Sequence, residues 1–179
     1  MSQLRATVTT LLLAAVCAPA FASGNPAARL RAFLDAHGNQ SGLPSAEQAP
    51  VIKPYLSEAL NEAMAEARAE QQAFIARRPD EKPPWIEGPI FHSSGYEPFT
   101  AYALVLPQGG CPQDRCVIRV DMVDTAASPD VLWHDDFVLV REDGQWRVDD
   151  VNYRAGFAYG NQGSLPANLA ADGDHASGD

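Results

Sequence analysis

Residues 131–153, VLWHDDFVLVREDGQWRVDDVNY, constrain the fold more than any other stretch. Asp143-Gly144 sits between two runs rich in β-branched and aromatic residues. That pairing is the strongest short hairpin signal, because a two-residue type I′ turn needs positive φ at both central positions. It predicts strands over residues 131–141 and 145–153. The second strand breaks its own alternation. Trp146 and Val148 fall on one face, two aspartates intervene, and the apolar set resumes at Val151 and Tyr153, one position late. A β-bulge produces this pattern: one extra residue goes unpaired, the side chains beyond it change face, and the strand bends and twists more. Trp146, Val148, Val151 and Tyr153 then share one core. The bulge also re-aims Asp149 or Asp150. A carboxylate turned into an apolar pocket has a raised pKa and can act as a general base. Bending the sheet is the plainer use of the same feature.

Two further strands are expected, over residues 99–106 and 116–123, bounded by turn-forming residues. Sequential hairpins make an antiparallel meander, which covers one face with helices and leaves the other to solvent or a ligand. In WHDDF (133–137), His134 and Asp136 alternate onto one face and Trp133, Asp135 and Phe137 onto the other. A His–Asp pair two apart can orient a proton carrier; the polar start of a strand reads the same way. Arg119 and Asp121 share a face of their strand and suit cross-strand ion pairing.

The chain before residue 79 is helical in pattern. Asn25 is an N-cap followed by Pro26, and Gly38 is the stop, with Leu30, Phe33, Leu34 and His37 on one face. His37 fits the last turn of a helix, where the dipole favours its cation. Residues 39–54 read as a loop with one helical turn after Ser45. A long helix is expected over residues 57–77, its apolar stripe Leu56, Leu60, Ala63, Met64, Ala67, Phe74 and Ile75. Glu58, Glu62, Glu66 and Glu70 line another face, four residues apart. Arg68 is not placed to relieve them, so each adjacent pair costs a few tenths of a kcal/mol, about 0.2–0.5. The stripe suits either a solvated face or a docking edge for a basic protein partner. Residues 79–95 read as irregular, with a short extended piece at 85–91. Leu165 and Leu169 suit a final docking turn, and residues 171–179 read as a disordered tail.

Compartment follows from the first residues. Arg5, the apolar run Leu11 to Val16 and Ala20-Phe21-Ala22 have the parts of an export signal over 1–22, cleaved after Ala22. That apolar run is too short to span a bilayer, which takes about 20 apolar residues. No transmembrane segment is expected in the mature chain, and residues 23–170 are expected to form one domain. A periplasmic or secreted protein results. Lipid attachment at Cys17 fits less well, because Val16 stands where a small residue is expected. The chain carries 13 Lys and Arg against 23 Asp and Glu, a net charge of −10. Loss of the signal removes one arginine and no acid, leaving −11. Such a charge repels nucleic acid and anionic lipid. It favours cationic partners, or solubility alone. Cys111 and Cys116, in GGCPQDRC, suit a disulfide in an oxidising compartment. Zinc needs four ligands, and no histidine or third cysteine has the spacing.

DDFVLVREDGQWRVDDVNY, with PYLSEAL at 54–60 and GSLPANL at 163–169, is similar to the nuclear-transport-factor-2-like (cystatin-like) superfamily. Within it the chain resembles the exported bacterial domain-of-unknown-function family 3828. The resemblance spans about residues 50 to 170. It implies an α+β, cone-like fold: N-terminal helices packed on a curved antiparallel sheet of four or more strands, with a pocket between. Superfamily members include isomerases and dehydratases as well as binding modules, so the fold does not decide the function.

No nucleophile elbow, HExxH, P-loop or dinucleotide fingerprint is present, and no cofactor is expected. The leading expectation is an exported, non-catalytic binding module of the envelope. It takes a small apolar ligand or a basic protein, and its sharper form is an inhibitor or immunity protein for a cationic enzyme. The alternative is an isomerase- or dehydratase-like enzyme using Asp150, with His134 or Tyr102 in support. A third is a membrane-tethered accessory protein anchored through Cys17. A metal site joining His92 to His134 and Asp136 has no spacing rule behind it.

Overall fold

A computed structural model describes residues 24–170. The expected signal, its cleavage point, Cys17 and the expected tail all lie outside the described residues. Helix α1 (Pro26–His37) begins where Asn25 Oδ1 accepts the N–H groups of Ala27 and Ala28, at 2.9 and 3.2 Å. Two orphan donors of the first turn are thereby satisfied. Its stop differs from the expectation in its cause. Gly38 has φ −56°, so no left-handed cap is needed; a Cβ there would lie 2.6 Å from the Phe99 ring. His37 also departs from the expected dipole role. It packs on Phe33 and Tyr55, and burial lowers its pKa.

Helix α2 (Ala49–Ile52) and a 3₁₀ turn (Lys53–Tyr55) lead into α3 (Glu58–Arg77). The start of α3 is tied to the sheet. Ser57 Oγ accepts the Leu60 N–H at 3.0 Å, the Ser57 N–H reaches Val148 O at 2.8 Å, and the Glu142 carboxylate accepts the Glu58 N–H at 3.1 Å. Leu60, Met64, Ala67 and Phe74 are buried as the apolar stripe requires, whereas Ile75 is exposed.

The sheet has order β1-β2-β3-β4, antiparallel and open: β1 (Ala101–Val105), β2 (Arg115–Asp124), β3 (Val131–Glu142) and β4 (Gln145–Tyr153). Asp143 (φ 50°) and Gly144 (φ 77°) turn between β3 and β4 with both residues at positive φ. The bulge is present. Val138 faces Asp150 while Leu139 faces Val148, so Asp149 is the extra residue. Trp146, Val148, Val151 and Tyr153 are all buried in one core, as the slipped alternation predicts.

That core lies between the inner face of the sheet and the helices. Ile118, Val120, Phe137 and Leu139 meet Leu30, Phe33, Leu56 and Leu60, all at most 1% exposed. Phe33 stands edge-on to Phe91, centroids 5.0 Å apart at 86°. Each such side chain contributes roughly 1.5–3 kcal/mol on burial. The free edge of β4 is closed by the chain after it. The Tyr153 N–H donates to Gly163 O at 3.0 Å, Asn152 bridges to Ser164, and α4 (Leu165–Ala170) sinks Leu165 and Leu169 into the core.

The expected extended piece at 85–91 is not a strand. Trp85 has φ 50°, and the segment is tied to residues 40–43 by an isolated bridge, Pro89 to Ser41, and by backbone hydrogen bonds such as Gly42 N–H to Gly88 O. Close backbone packing governs it instead. Gly88, at φ 75°, approaches Gly95 so nearly that a Cβ would sit 1.8 Å from the Gly95 carbonyl oxygen. Among the described residues no helix is long and apolar enough to cross a membrane. Cys111 and Cys116 are joined, Cα atoms 4.9 Å apart.

Candidate functional site

The proposed acids and bases do not come together. Asp149 turns to the outer face and lies 3.7 Å from Arg115. Asp150 is half-buried beside the start of α4. Burial raises its pKa, against the Val151 and Leu165 backbone N–H groups that pull it down. One of its oxygens, Oδ1, is buried without a hydrogen-bond partner among the described residues. His134 lies on the outer face, opposite Asp121. Its place on β3 is four residues from Val138, the partner of Asp150; at about 3.3 Å per residue the two are roughly 13 Å apart.

Tyr102 is on the inner side of the sheet, where its hydroxyl donates to Asp35 of α1 and to Arg31 O. Burial first, then the bond to Asp35, pushes its pKa up to about 12. It therefore supports neither His134 nor Asp150. His92 is also inside, between Phe99 and Trp133, so it cannot join His134 and Asp136 on the far face. Asp136 is taken by Arg154 at 2.8 Å. Arg119 pairs within its own strand, to Asp121 at 2.6 Å, not across strands.

The glutamate stripe is partly as expected. Glu58, Glu62 and Glu66 are exposed. Glu70 is relieved from within the helix, by Arg77 at 2.9 Å. Glu58 and Glu62 share a groove with Glu142 and Asp143 of the hairpin turn. Arg147 is in that groove too, 3.3 Å from Glu142.

Two inward-facing groups carry more weight than any of these. Asp135 is fully buried. Its carboxylate accepts the Ser93 N–H at 2.7 Å, the Arg154 N–H at 2.8 Å and the Ser93 hydroxyl. Desolvation raises its pKa, and those donors pull it back. The cluster bolts the 88–95 segment to the sheet. Neighbouring His92 has Nε2 3.2 Å from Asn39 Oδ1, and burial lowers its pKa to about 4. It is neutral at pH 7, and Nε2 carries the hydrogen, because Asn39 Oδ1 only accepts.

The second group is Asp124, at the inner end of β2. It is 4% exposed and accepts the Ala126 N–H at 2.8 Å. It opens on a cavity of about 280 Å³ at the rim of the sheet. Trp133, Phe157, Tyr96 and Tyr159 wall that cavity, with Val131 and Glu97. Trp133 and Phe157 meet edge to face, 5.8 Å apart at 76°. Tyr96 and Tyr159 are 66% and 81% exposed. Both also border a proline-rich groove of about 530 Å³ beside Pro83, Pro84 and Trp85. Gly160 is required beneath the cavity, since a Cβ there would lie 2.3 Å from Ser93 O.

Neither Asp135 nor Asp124 was singled out from the residue pattern. Strand alternation was the available signal: each aspartate falls on the apolar face of its own strand. No family model, curated protein or solved structure matches the chain. The fold and geometry define an α+β protein with an open four-stranded sheet, a filled interior and an apolar pocket at its rim.

Proposed function

We propose that the chain is an exported, non-catalytic binding module whose ligand sits in the rim cavity. The observation that carries this reading is the pocket itself: preformed, walled by four aromatic side chains, and remote from the proposed base Asp150. Ligand sites are commonly concave and apolar with few polar groups. The joined cysteines favour an oxidising compartment, and so a periplasmic or secreted protein with residues 1–22 removed. Helices that precede a bulged antiparallel sheet are the arrangement a nuclear-transport-factor-2-like protein would need, and family 3828 within it rests on the sequence resemblance alone.

The test is titration with the neutral fluorophore N-phenyl-1-naphthylamine. Saturable binding to one site is expected. Val131→Trp, which fills the cavity from its wall, abolishes it, and Asp150→Asn leaves it intact. Binding lost with Asp150→Asn and kept with Val131→Trp overturns the reading in favour of a pocket at the bulge, where an isomerase-like enzyme would work.

A second reading is favoured by the groove in which Glu58 and Glu62 face Glu142 and Asp143. It suits a basic protein, as an inhibitor of a cationic envelope enzyme would need. Affinity for such a protein should fall as salt rises, because exposed charges are screened beyond about 8 Å at physiological ionic strength. Cytochrome c serves as a basic probe. Binding that Glu58→Gln/Glu62→Gln/Glu66→Gln leaves unchanged discards this reading.

A further inference from the structure

The chemistry of the rim cavity narrows its ligand beyond "small and apolar". Four aromatic residues line it together with two acidic ones, the buried Asp124 and the exposed Glu97, and no lysine, arginine or histidine does. Asp124 is buried at the wall, and among the described residues no cation pairs with it. The nearly perpendicular Trp133 and Phe157 rings present two adjoining walls, and the exposed tyrosines stand at the mouth. Aromatic faces attract cations through the ring quadrupole, and groups of them recognise alkylated ammonium groups.

We propose that this cavity binds an alkylated ammonium group, its charge set against Asp124 and its methyl groups against Trp133, Phe157, Tyr96 and Tyr159. A primary ammonium suits it poorly, since that head carries three donors that each need an acceptor. An alkylated ammonium has few or none, and leaves nothing unsatisfied against ring faces. The cavity, about 280 Å³, lies just below the usual range of roughly 300–1,000 Å³ for ligand pockets. A compact head therefore fits. The inference rests on the rim pocket proposed above.

Calorimetric titration with choline, tetramethylammonium and 3,3-dimethyl-1-butanol tests it, the last being the uncharged isostere of choline. Choline and tetramethylammonium should bind at least tenfold more tightly than the isostere. Asp124→Asn keeps the oxygen that accepts the Ala126 N–H, so it should fold; it should weaken both cations about tenfold and leave the isostere unchanged. Tyr159→Leu, at an exposed position, should weaken the cations by severalfold. Equal binding of choline and the isostere overturns the inference but leaves the apolar pocket standing. Loss of the fluorophore as well removes both.

Sedimentation with vesicles separates two sources of the same head. Retention on phosphatidylcholine but not phosphatidylglycerol vesicles supports a lipid-borne ammonium, and choline binding without retention supports a free one. Failure of choline, tetramethylammonium and phosphatidylcholine vesicles together overturns the proposal.

Discussion

Acid should destabilise this protein chiefly through one histidine, and the size of the effect follows from where His92 sits. Its ring is fully buried between Phe99 and Trp133, with Nε2 toward Asn39, and its pKa is lowered to about 4 from 6.5. In the unfolded chain the same imidazole keeps its ordinary value. Between pH 6.5 and 4 the unfolded state therefore binds the proton and the folded state does not. The stability contribution is complete above about 6.5 and is lost as pH falls toward 4. At 1.36 kcal/mol per pKa unit, the loss reaches about 3 kcal/mol at pH 4. His92→Phe keeps a ring in the site and removes the titration. Its lost bond to Asn39 shifts stability by the same amount at every pH. Urea unfolding of both proteins at pH 7, 6, 5 and 4 separates the effects, because every other titrating group is common to the two. The wild type should lose roughly 3 kcal/mol relative to His92→Phe across that range. A difference between them that stays constant with pH refutes the buried, neutral histidine.

Asp135→Ala should be among the most destabilising single changes at neutral pH, because it strands two buried donors, the Ser93 N–H and the Ser93 hydroxyl. At roughly 1–3 kcal/mol for each unmet donor, about 4 kcal/mol is expected, seen as a large drop in Tm. Asp136→Ala, which removes a partly exposed ion pair to Arg154, should cost no more than about 1 kcal/mol. Equal effects in thermal melts would show that Asp135 anchors nothing. Deleting Asp149 should straighten β4 and draw Leu165 and Leu169 out of register with the core, costing about 3 kcal/mol or more. Asp149→Ala removes only the pairing to Arg115 and should cost under about 1 kcal/mol; similar Tm values for the two variants would mean the bulge does not serve curvature.

Periodicity made the frame legible. The hairpin turn, the bulge and the buried set around it follow from alternation at Trp146, Val148, Val151 and Tyr153 and its slip at two aspartates. The cap at Asn25 follows from residue type. Interactions that join distant parts of the chain left no such trace. Nothing local to Ser93 announces that its hydroxyl and N–H meet a carboxylate 42 residues on. Glu142 reads as a strand-end acid, and its service at the Glu58 N–H 84 residues away depends on how the hairpin meets α3. The rim pocket draws on residues 94–97, 124–133 and 157–160, three separate loops or strand ends. Segment 79–95 is irregular, as its proline and glycine content implies, but its path, set by close backbone contact at Gly88, leaves no pattern in the sequence.

The bulge also bears on where a ligand can go. An extra residue in β4 turns the end of that strand, so the chain after Tyr153 runs back along the edge and places α4 against α3 and β4. With that edge closed, the inner face is covered by α1, α3 and the 88–95 segment, and Phe33, Phe91, Phe137 and His92 fill it without exposure. With the interior filled in this way, the apolar rim pocket lies at the mouth of the sheet. There β2 and β3 end at Asp124 and Val131, and the stretch that carries Phe157 and Tyr159 crosses the opening. The aspartates of the bulge belong to the scaffold, and a different aspartate, at the end of β2, lines the rim pocket. Both share one physical property: each is a carboxylate placed where strand geometry, not solvent, decides its direction.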